Sequence, residues 1–550
     1  MSKISNAANK VSEESKLQLD KVVTNFMGGD SYTINPVDTL KMITASSIFG
    51  EPSYYRGSNI SGDSFLTRDI KNYNGCYLMD MSIIPTEMYD MTTEEIMAKA
   101  IDDALDYDFE ATIEWAKELR KEYYMRLNPQ VIMARAAIHP KRAEFTKSKP
   151  EGYFRQAMRD CMTRADDALN GMAYYIWSNK GKSNMPSIMK RAYADHINGL
   201  SRYELHKYQN SGIGLVNAVR ICHAHNSDID ELMKNGKIEV TEDEQTWEVL
   251  RSAGKKWDEI FHSVKMGHMA LLRNLRGFCS EVTDTQLINE YLDKLKSGVK
   301  YGKQFPFRYF SAYKAVNAAK DINHKQLVLD TLEECIDISC DNLPRLKGST
   351  MVLSDNSGSA WGTFNSEYGT MTVAEIDNLS AVITASRSDE GYVGVFGDKL
   401  KVYPISKRNG ILKQTEEISA KHGYDVGGGT EGGIWKFFRN AINENEHWDN
   451  IFIYSDQQAG HNGLYGTRED KAEYERTFGS KGMINVFKLV LEYRKRVYRD
   501  VNVFSIQTAG YNNNVIPEYA YRTNLMYGWT GKEVLFADTV IKQWDNIQNR

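Results

Sequence analysis

Met351-Val352-Leu353-Ser354-Asp355-Asn356-Ser357-Gly358-Ser359 decides how the C-terminal part of the chain is read. Three apolar residues run straight into a polar turn, the pattern of a buried strand that ends at a sheet edge. Working outward, Val373–Ser386 reads as a helix, and Tyr392–Phe396 and Lys401–Ile405 read as strands. Gly432–Glu444 reads as a helix, Ile451–Tyr454 as a strand, Met483–Arg499 as a helix and Val501–Ile506 as a strand. Strands alternating with helices predict a parallel-rich sheet covered on both faces, a doubly wound α/β fold. Ligands of such folds sit at the carboxyl ends of the strands, beside a topological switch point.

Those ends carry the chemistry. Strand Ile451–Tyr454 runs into Ser455-Asp456-Gln457-Gln458, and Gly427-Gly428-Gly429-Thr430-Glu431-Gly432-Gly433 is a glycine-rich loop that opens a helix. Three loops at one edge therefore present two carboxylates, Asp355 and Asp456, and three hydroxyls, Ser357, Ser359 and Thr430. All five are hard oxygen ligands, and Mg²⁺ or another small divalent cation takes such a set in an octahedron completed by water. A phosphate loop is rejected, because no Gly-Lys-Ser/Thr follows the glycines. A two-metal hydrolase is disfavoured, since it needs several bridging carboxylates. Asp-x-Ser-x-Ser alone is weak evidence, as Asp and Ser are common in turns and caps. In this order of strand, turn, Gly-Gly-Thr and strand-Ser-Asp, the pattern resembles the metal-ion-dependent adhesion site of von Willebrand factor A domains. That resemblance implies a cation whose open position takes an acidic group from a partner, in a domain that binds and does not catalyse.

Upstream the grammar is helical. In Thr93–Asp106 the residues Ile96, Ala100, Ile101 and Leu105 share a face; after Tyr107-Asp108, Phe109, Ile113, Ala116, Leu119 and Tyr123 do the same. The rhythm continues through Phe154–Asn170, Pro186–Asn198, Val216–Ala224, Thr246–Val264 and Thr285–Lys296. Stacked helix pairs of this kind form an α-solenoid, with a compact bundle as the alternative. At Asp341–Thr350 a Pro and a Gly flank basic residues, as in a linker. The expected domains are thus residues 1–345 and 346–550.

A chain of 550 residues is too long for one core. Met1–Asp20 lacks an apolar h-region, and there is no run of eighteen apolar residues, which argues against a signal peptide and a membrane span. Six cysteines without CxxC spacing make a zinc site or disulfide framework improbable and fit a reducing cytoplasm. The net charge of −5 conceals a basic stretch, Arg135–Asn226, with 15 Lys/Arg against 7 Asp/Glu. Such a stretch is either an uneven solvated surface or a phosphate-binding footprint.

Four segments of the chain before the α/β part add a second resemblance. Phe26-Met27-Gly28-Gly29-Asp30-Ser31-Tyr32-Thr33, Ile188–His196, Val219-Arg220-Ile221-Cys222-His223 and Met269-Ala270-Leu271-Leu272-Arg273-Asn274-Leu275-Arg276 resemble segments of the Ro ribonucleoprotein family. This family joins a TROVE module to a von Willebrand factor A domain. The resemblance spans roughly Phe26 to Trp544, and Leu-Leu-Arg-Asn-Leu and the metal pattern are its most specific parts. It implies a ring of HEAT-like helical repeats closed by the α/β domain. It also implies small structured Y-like RNA on the outer surface and single-stranded ends of misfolded RNA in a central hole. An exoribonuclease such as polynucleotide phosphorylase is an implied partner, and a cytoplasmic monomer the implied state.

Carried onto this chain, the RNA-contact candidates are Lys190, Arg191, Lys207, Arg220, His223 and Arg273. An arginine expected shortly after Lys207 is replaced by Asn210 or a neighbour. Read without the resemblance, Arg220 and Arg273 fit helix-end bridges and His223 fits a core histidine. Trp177, Trp247 and Trp257 fit either stacked bases or core. The leading expectation is a non-catalytic RNA-binding protein. A metal-dependent protein-interaction scaffold is the alternative, and a nuclease would require a metal-supported base.

Overall fold

The computed structural model describes residues 22–24, 30–32, 36–44, 93–179, 181–210, 213–241, 245–341, 343–362, 372–429, 431–455, 472–473, 475–476, 486–508, 519–520, 522–527 and 533–548. Of the segment Phe26–Thr33, only Asp30–Tyr32 falls within them. Strands β1 (Val22–Thr24) and β2 (Asp30–Tyr32) pair antiparallel. The rest divides into a helical unit that ends at Tyr291 and a second unit that runs from Leu292.

In the helical unit the apolar stripes are buried as the periodicity predicts: Ile101, Leu105, Ile113, Ala116 and Leu119 are fully buried. The break at Asp108 is a helix cap, for its side chain accepts from Ala111 N at 2.9 Å and starts the helix Phe109–Lys121. Such a cap stabilises a helix by about 1 kcal/mol. Two expected long helices are each divided. Phe154–Asn170 is Tyr153–Asp160 followed by Ala165–Ser178, because Asp167 Oδ2 accepts from Thr163 N and Arg164 N and starts a new helix there. The same Asp167 takes a buried ion pair from Arg120 at 2.8 Å. Thr246–Val264 is Trp247–Ser252 and Trp257–Ser263, separated at Gly254, whose φ is +86°.

The second unit is built on strands β3 (Leu346–Asp355), β4 (Ser388–Phe396), β5 (Leu400–Pro404), β6 (Asn450–Ser455), β7 (Asn502–Gln507), β8 (Tyr519–Ala520) and β9 (Thr523–Tyr527), in the order 5-4-3-6-7-9-8. β3 is parallel to both β4 and β6, and β6–β7 and β7–β9 are parallel too. The edge pairs β4–β5 and β8–β9 are antiparallel. β3 begins upstream of the expected Met351, inside the Asp341–Thr350 segment read as a linker. Gly348 interrupts its register at φ +77°, and a Cβ there would lie 1.9 Å from Asp449 Oδ2.

Four helices matter for the site: α1 (Lys325–Cys340), α2 (Val373–Ser386), α3 (Ile411–His422) and α4 (Glu431–Asn443). Alternation along β3 sends Met351 and Leu353 into a core with Ile434, Phe437 and Phe438 of α4. Ser354, on the opposite face, reaches α2 and donates to Asn378 Oδ1 at 2.7 Å. Pro306–Ala318 and α1 also belong to this unit. Tyr313 Oη and Asn317 Nδ2 donate to Glu416 of α3, both at 3.1 Å. Chain order leaves β3 towards β4 on one side and returns to β6 on the other, so the switch point lies between β3 and β6.

Candidate metal and nucleic-acid sites

Asp355 closes β3 at that switch point. It is fully buried, its Oδ1 accepts from Ser357 N at 2.8 Å, and its Oδ2 accepts from Ser455 Oγ at the end of β6. The turn is tied sideways as well, with Asn356 N donating to Phe396 O of β4 at 2.8 Å. The glycine loop meets it: Gly358 N donates to Gly428 O at 3.4 Å, and Gly428 N to Asp398 Oδ2 at 3.0 Å. Gly427 has φ +91°, and a Cβ there would lie 2.4 Å from Asp398 Oδ2, so only glycine fits.

Of the five expected ligands, the structure therefore brings Asp355 and Ser357 together, with Ser455 as an added hydroxyl. Ser359 starts in the short helix Gly358–Gly362, but its side chain lies outside the described residues, as do Thr430 and Asp456. A buried carboxylate beside serine hydroxyls, with a glycine loop against it, is a donor set of the kind a hard divalent cation takes. Sequence reasoning missed Ser455, although it sits beside Asp456. It also missed Asn378, which the helix Val373–Ser386 buries along with the polar Asp377, Ser380 and Thr384.

The six RNA-contact candidates all fall in the helical unit. Lys190 and Arg191 stand on Ser187–Asn198, Lys207 on Arg202–Tyr208, Arg220 on Leu215–Cys222 and Arg273 on His268–Glu281. His223 caps Leu215–Cys222 in the left-handed region, with φ +59°. Lys190 is half-buried and the other five are exposed, so His223 is not a core histidine. Most neighbouring arginines are paired: Arg126 with Asp166, Arg135 with Asp102, Arg155 with Asp195, Arg202 with Glu231 and Arg251 with Glu281. Among the described residues, none of Lys190, Arg191, Lys207, Arg220 and Arg273 meets a carboxylate. Arg276 shares the exposed face of Arg273 and joins them; its spacing of three residues was readable.

Aromatic groups lie beside these cations. Lys207 Nζ sits 5.8 Å from the Tyr203 ring and 5.5 Å from the Tyr208 ring, and Arg164 donates to Tyr208 Oη at 2.9 Å. Trp257 is core, under Arg251, whereas Trp177 remains 38 % exposed. Lys149 pairs with Glu110.

Residues 231–353 match the TROVE domain family. The crystal structure of the Deinococcus radiodurans Ro (RSR) protein aligns over 80 % of this chain and 93 % of that one, with a TM-score of 0.55 at 12 % identity. In fold, this chain is Ro-like. The TROVE match crosses from the helical unit into β3 and includes Arg273. At that identity the structural likeness speaks for the fold, a helix-rich region followed by an α/β domain. No curated protein matches in sequence. Among the described residues, no helix is long and apolar enough to cross a membrane.

Proposed function

We propose that this protein binds RNA in the Ro manner and is not itself a catalyst. The observation that carries the reading is the set of exposed or half-buried cations without acidic partners, in a unit whose other arginines are mostly paired. A paired arginine serves the fold, while an exposed cation left without a carboxylate is a ready phosphate donor. Lys190, Arg191, Lys207, Arg220, His223 and Arg273 are the proposed contacts, with Arg276 added. Small structured Y-like RNA and single-stranded ends of misfolded RNA are the proposed ligands, recognised by shape and stacking more than by sequence. An exoribonuclease such as polynucleotide phosphorylase is the proposed partner of a cytoplasmic monomer.

The α/β domain is proposed to hold Mg²⁺ at Asp355, Ser357, Ser359, Thr430 and Asp456. The cation would serve there as a clamp or as a docking point for an acidic group. The test of the RNA reading is filter binding of a structured RNA with a single-stranded tail. Affinity should fall steeply with salt, and charge reversal of Lys190 and Arg220 should weaken it for every sequence alike. An interaction scaffold without RNA function would instead give no retention at low salt.

A further inference from the structure

Behind the proposed metal site runs a buried hydrogen-bond chain that the RNA reading does not use. Asn378 of α2 is fully buried. Its Oδ1 accepts from Ser354 Oγ at 2.7 Å and Asn356 Nδ2 at 2.8 Å; its Nδ2 donates to Asn356 Oδ1 at 3.1 Å and Ser419 Oγ at 3.0 Å. Both donors and both lone pairs of the amide are thereby satisfied. Ser354 and Asn356 are the two neighbours of Asp355, so this one amide holds the site's strand end from both sides.

Ser419 links the chain to α3. Just past it α3 ends, and the turn Gly423–Val426 delivers the glycine loop that meets Gly358. The other end of α3 is capped by side chains of a different helix. Glu333 of α1 accepts from Leu412 N at 2.7 Å and Lys413 N at 2.9 Å, and Asp337 accepts from Ile411 N. Gly410 makes room for this, since a Cβ there would lie 2.2 Å from the Glu333 carboxyl carbon. A helix ordinarily caps itself from the preceding residue; here three orphan N–H groups are held by a neighbouring helix.

We propose that α3 is a connecting rod between α1 and the metal site, with Asn378 and Ser419 as positioning residues, so that the grip of α1 on α3 sets cation affinity at Asp355. The proposal rests on the reading that this site takes a divalent cation. α3 touches both halves of the site: through Ser419–Asn378–Asn356 it holds the Asp355 turn, and through its C-terminal end it carries the glycine loop. A shift of α3 must therefore move the ligands relative to each other. Groups that orient metal ligands typically change affinity by about 10–100-fold when removed.

The test is calorimetric titration of the full-length protein with Mn²⁺. Ser419→Ala should weaken binding about tenfold and Ser419→Thr, which keeps the hydroxyl, should restore it. Glu333→Gln, which replaces one acceptor by a donor, should weaken binding severalfold. Gln326→Ala, removing an exposed hydrogen bond within α1 to Asp330 (2.9 Å), should leave it unchanged. The decisive readout is the double variant: Glu333→Gln with Ser419→Ala should cost clearly less than the product of the single effects, because both cut one chain. Strictly multiplicative effects, or unaltered affinity in Glu333→Gln, would overturn the coupling while wild-type binding keeps the metal reading intact. Absence of Mn²⁺ binding in the wild type would overturn the metal reading itself.

Discussion

Burying a carboxylate in a sheet edge is costly unless donors or a cation compensate it. Asp355 is fully buried and receives hydrogen bonds from Ser357 N and Ser455 Oγ. A cation there should add stability by binding the folded state alone, about 2.7 kcal/mol when its concentration is a hundred times its Kd. Mg²⁺ is thus expected to raise the melting temperature of the wild type and to leave Asp355→Ala unmoved; an equal rise in both would place the ion elsewhere. Among the cations, reversal of Arg191 or Arg220 should weaken RNA binding about tenfold each and lower the salt slope by about one, as loss of a phosphate contact does. These residues were named through the resemblance to the Ro family inside a basic stretch of sequence; read alone, Arg220 fits a helix-end bridge as well. Asn378 was not legible: its three partner residues come from β3, its turn and α3, and no local pattern announces that convergence. His223 was misread on its own merits, since a histidine inside Arg-Ile-Cys-His looks apolar-flanked until the left-handed cap turns it outward.

At the scale of elements, α1 grips α3 through acids. Burial, with Asp341 and Glu334 nearby, pushes Asp337 up to about 6 against an ordinary 3.8, although Ile411 N–H favours its ionised form. Burial also raises Glu333, against the pull of the two amides it accepts. Ionised Asp337 therefore disfavours the folded state. Its contribution to stability is complete below the ordinary carboxylate range and is lost as pH rises through about 6. Asp337→Asn should melt above the wild type at pH 7.5, and the gap should close as pH falls below 5; parallel melting curves would contradict this. α3 and the elements after β7 went unread, but among the other long elements of the α/β part the type was readable, because strand and helix periods differ sharply there. Element ends were not. The divisions at Cys161–Arg164 and at Gly254 follow from one carboxylate, Asp167, and one left-handed glycine, and both interrupt an apolar rhythm that continues across them.

For the molecule as a whole, a helical unit that contains a basic stretch and an α/β unit are joined in an order shared with the Deinococcus Ro structure. The TROVE match runs through the junction, and the compact second unit already begins at Leu292, ahead of the Pro-Gly segment that looked like a linker. Composition shifts mark where the chain changes secondary structure; packing decides where a unit begins, and Glu333 and Tyr313 reaching α3 are contacts no composition reveals. Protein purified from its own cells should carry RNA that resists removal at low salt and leaves at high salt, seen in the ratio of nucleic-acid to protein absorbance. The most direct test is equilibrium binding of a structured RNA bearing a single-stranded 3′ tail, measured from low to physiological salt on the wild type and on Lys190→Glu with Arg220→Glu. The account predicts wild-type binding whose logarithm falls linearly with the logarithm of salt, and a shallower slope with much weaker binding in the variant. Binding that ignores salt, or a variant that binds as the wild type does, would contradict it.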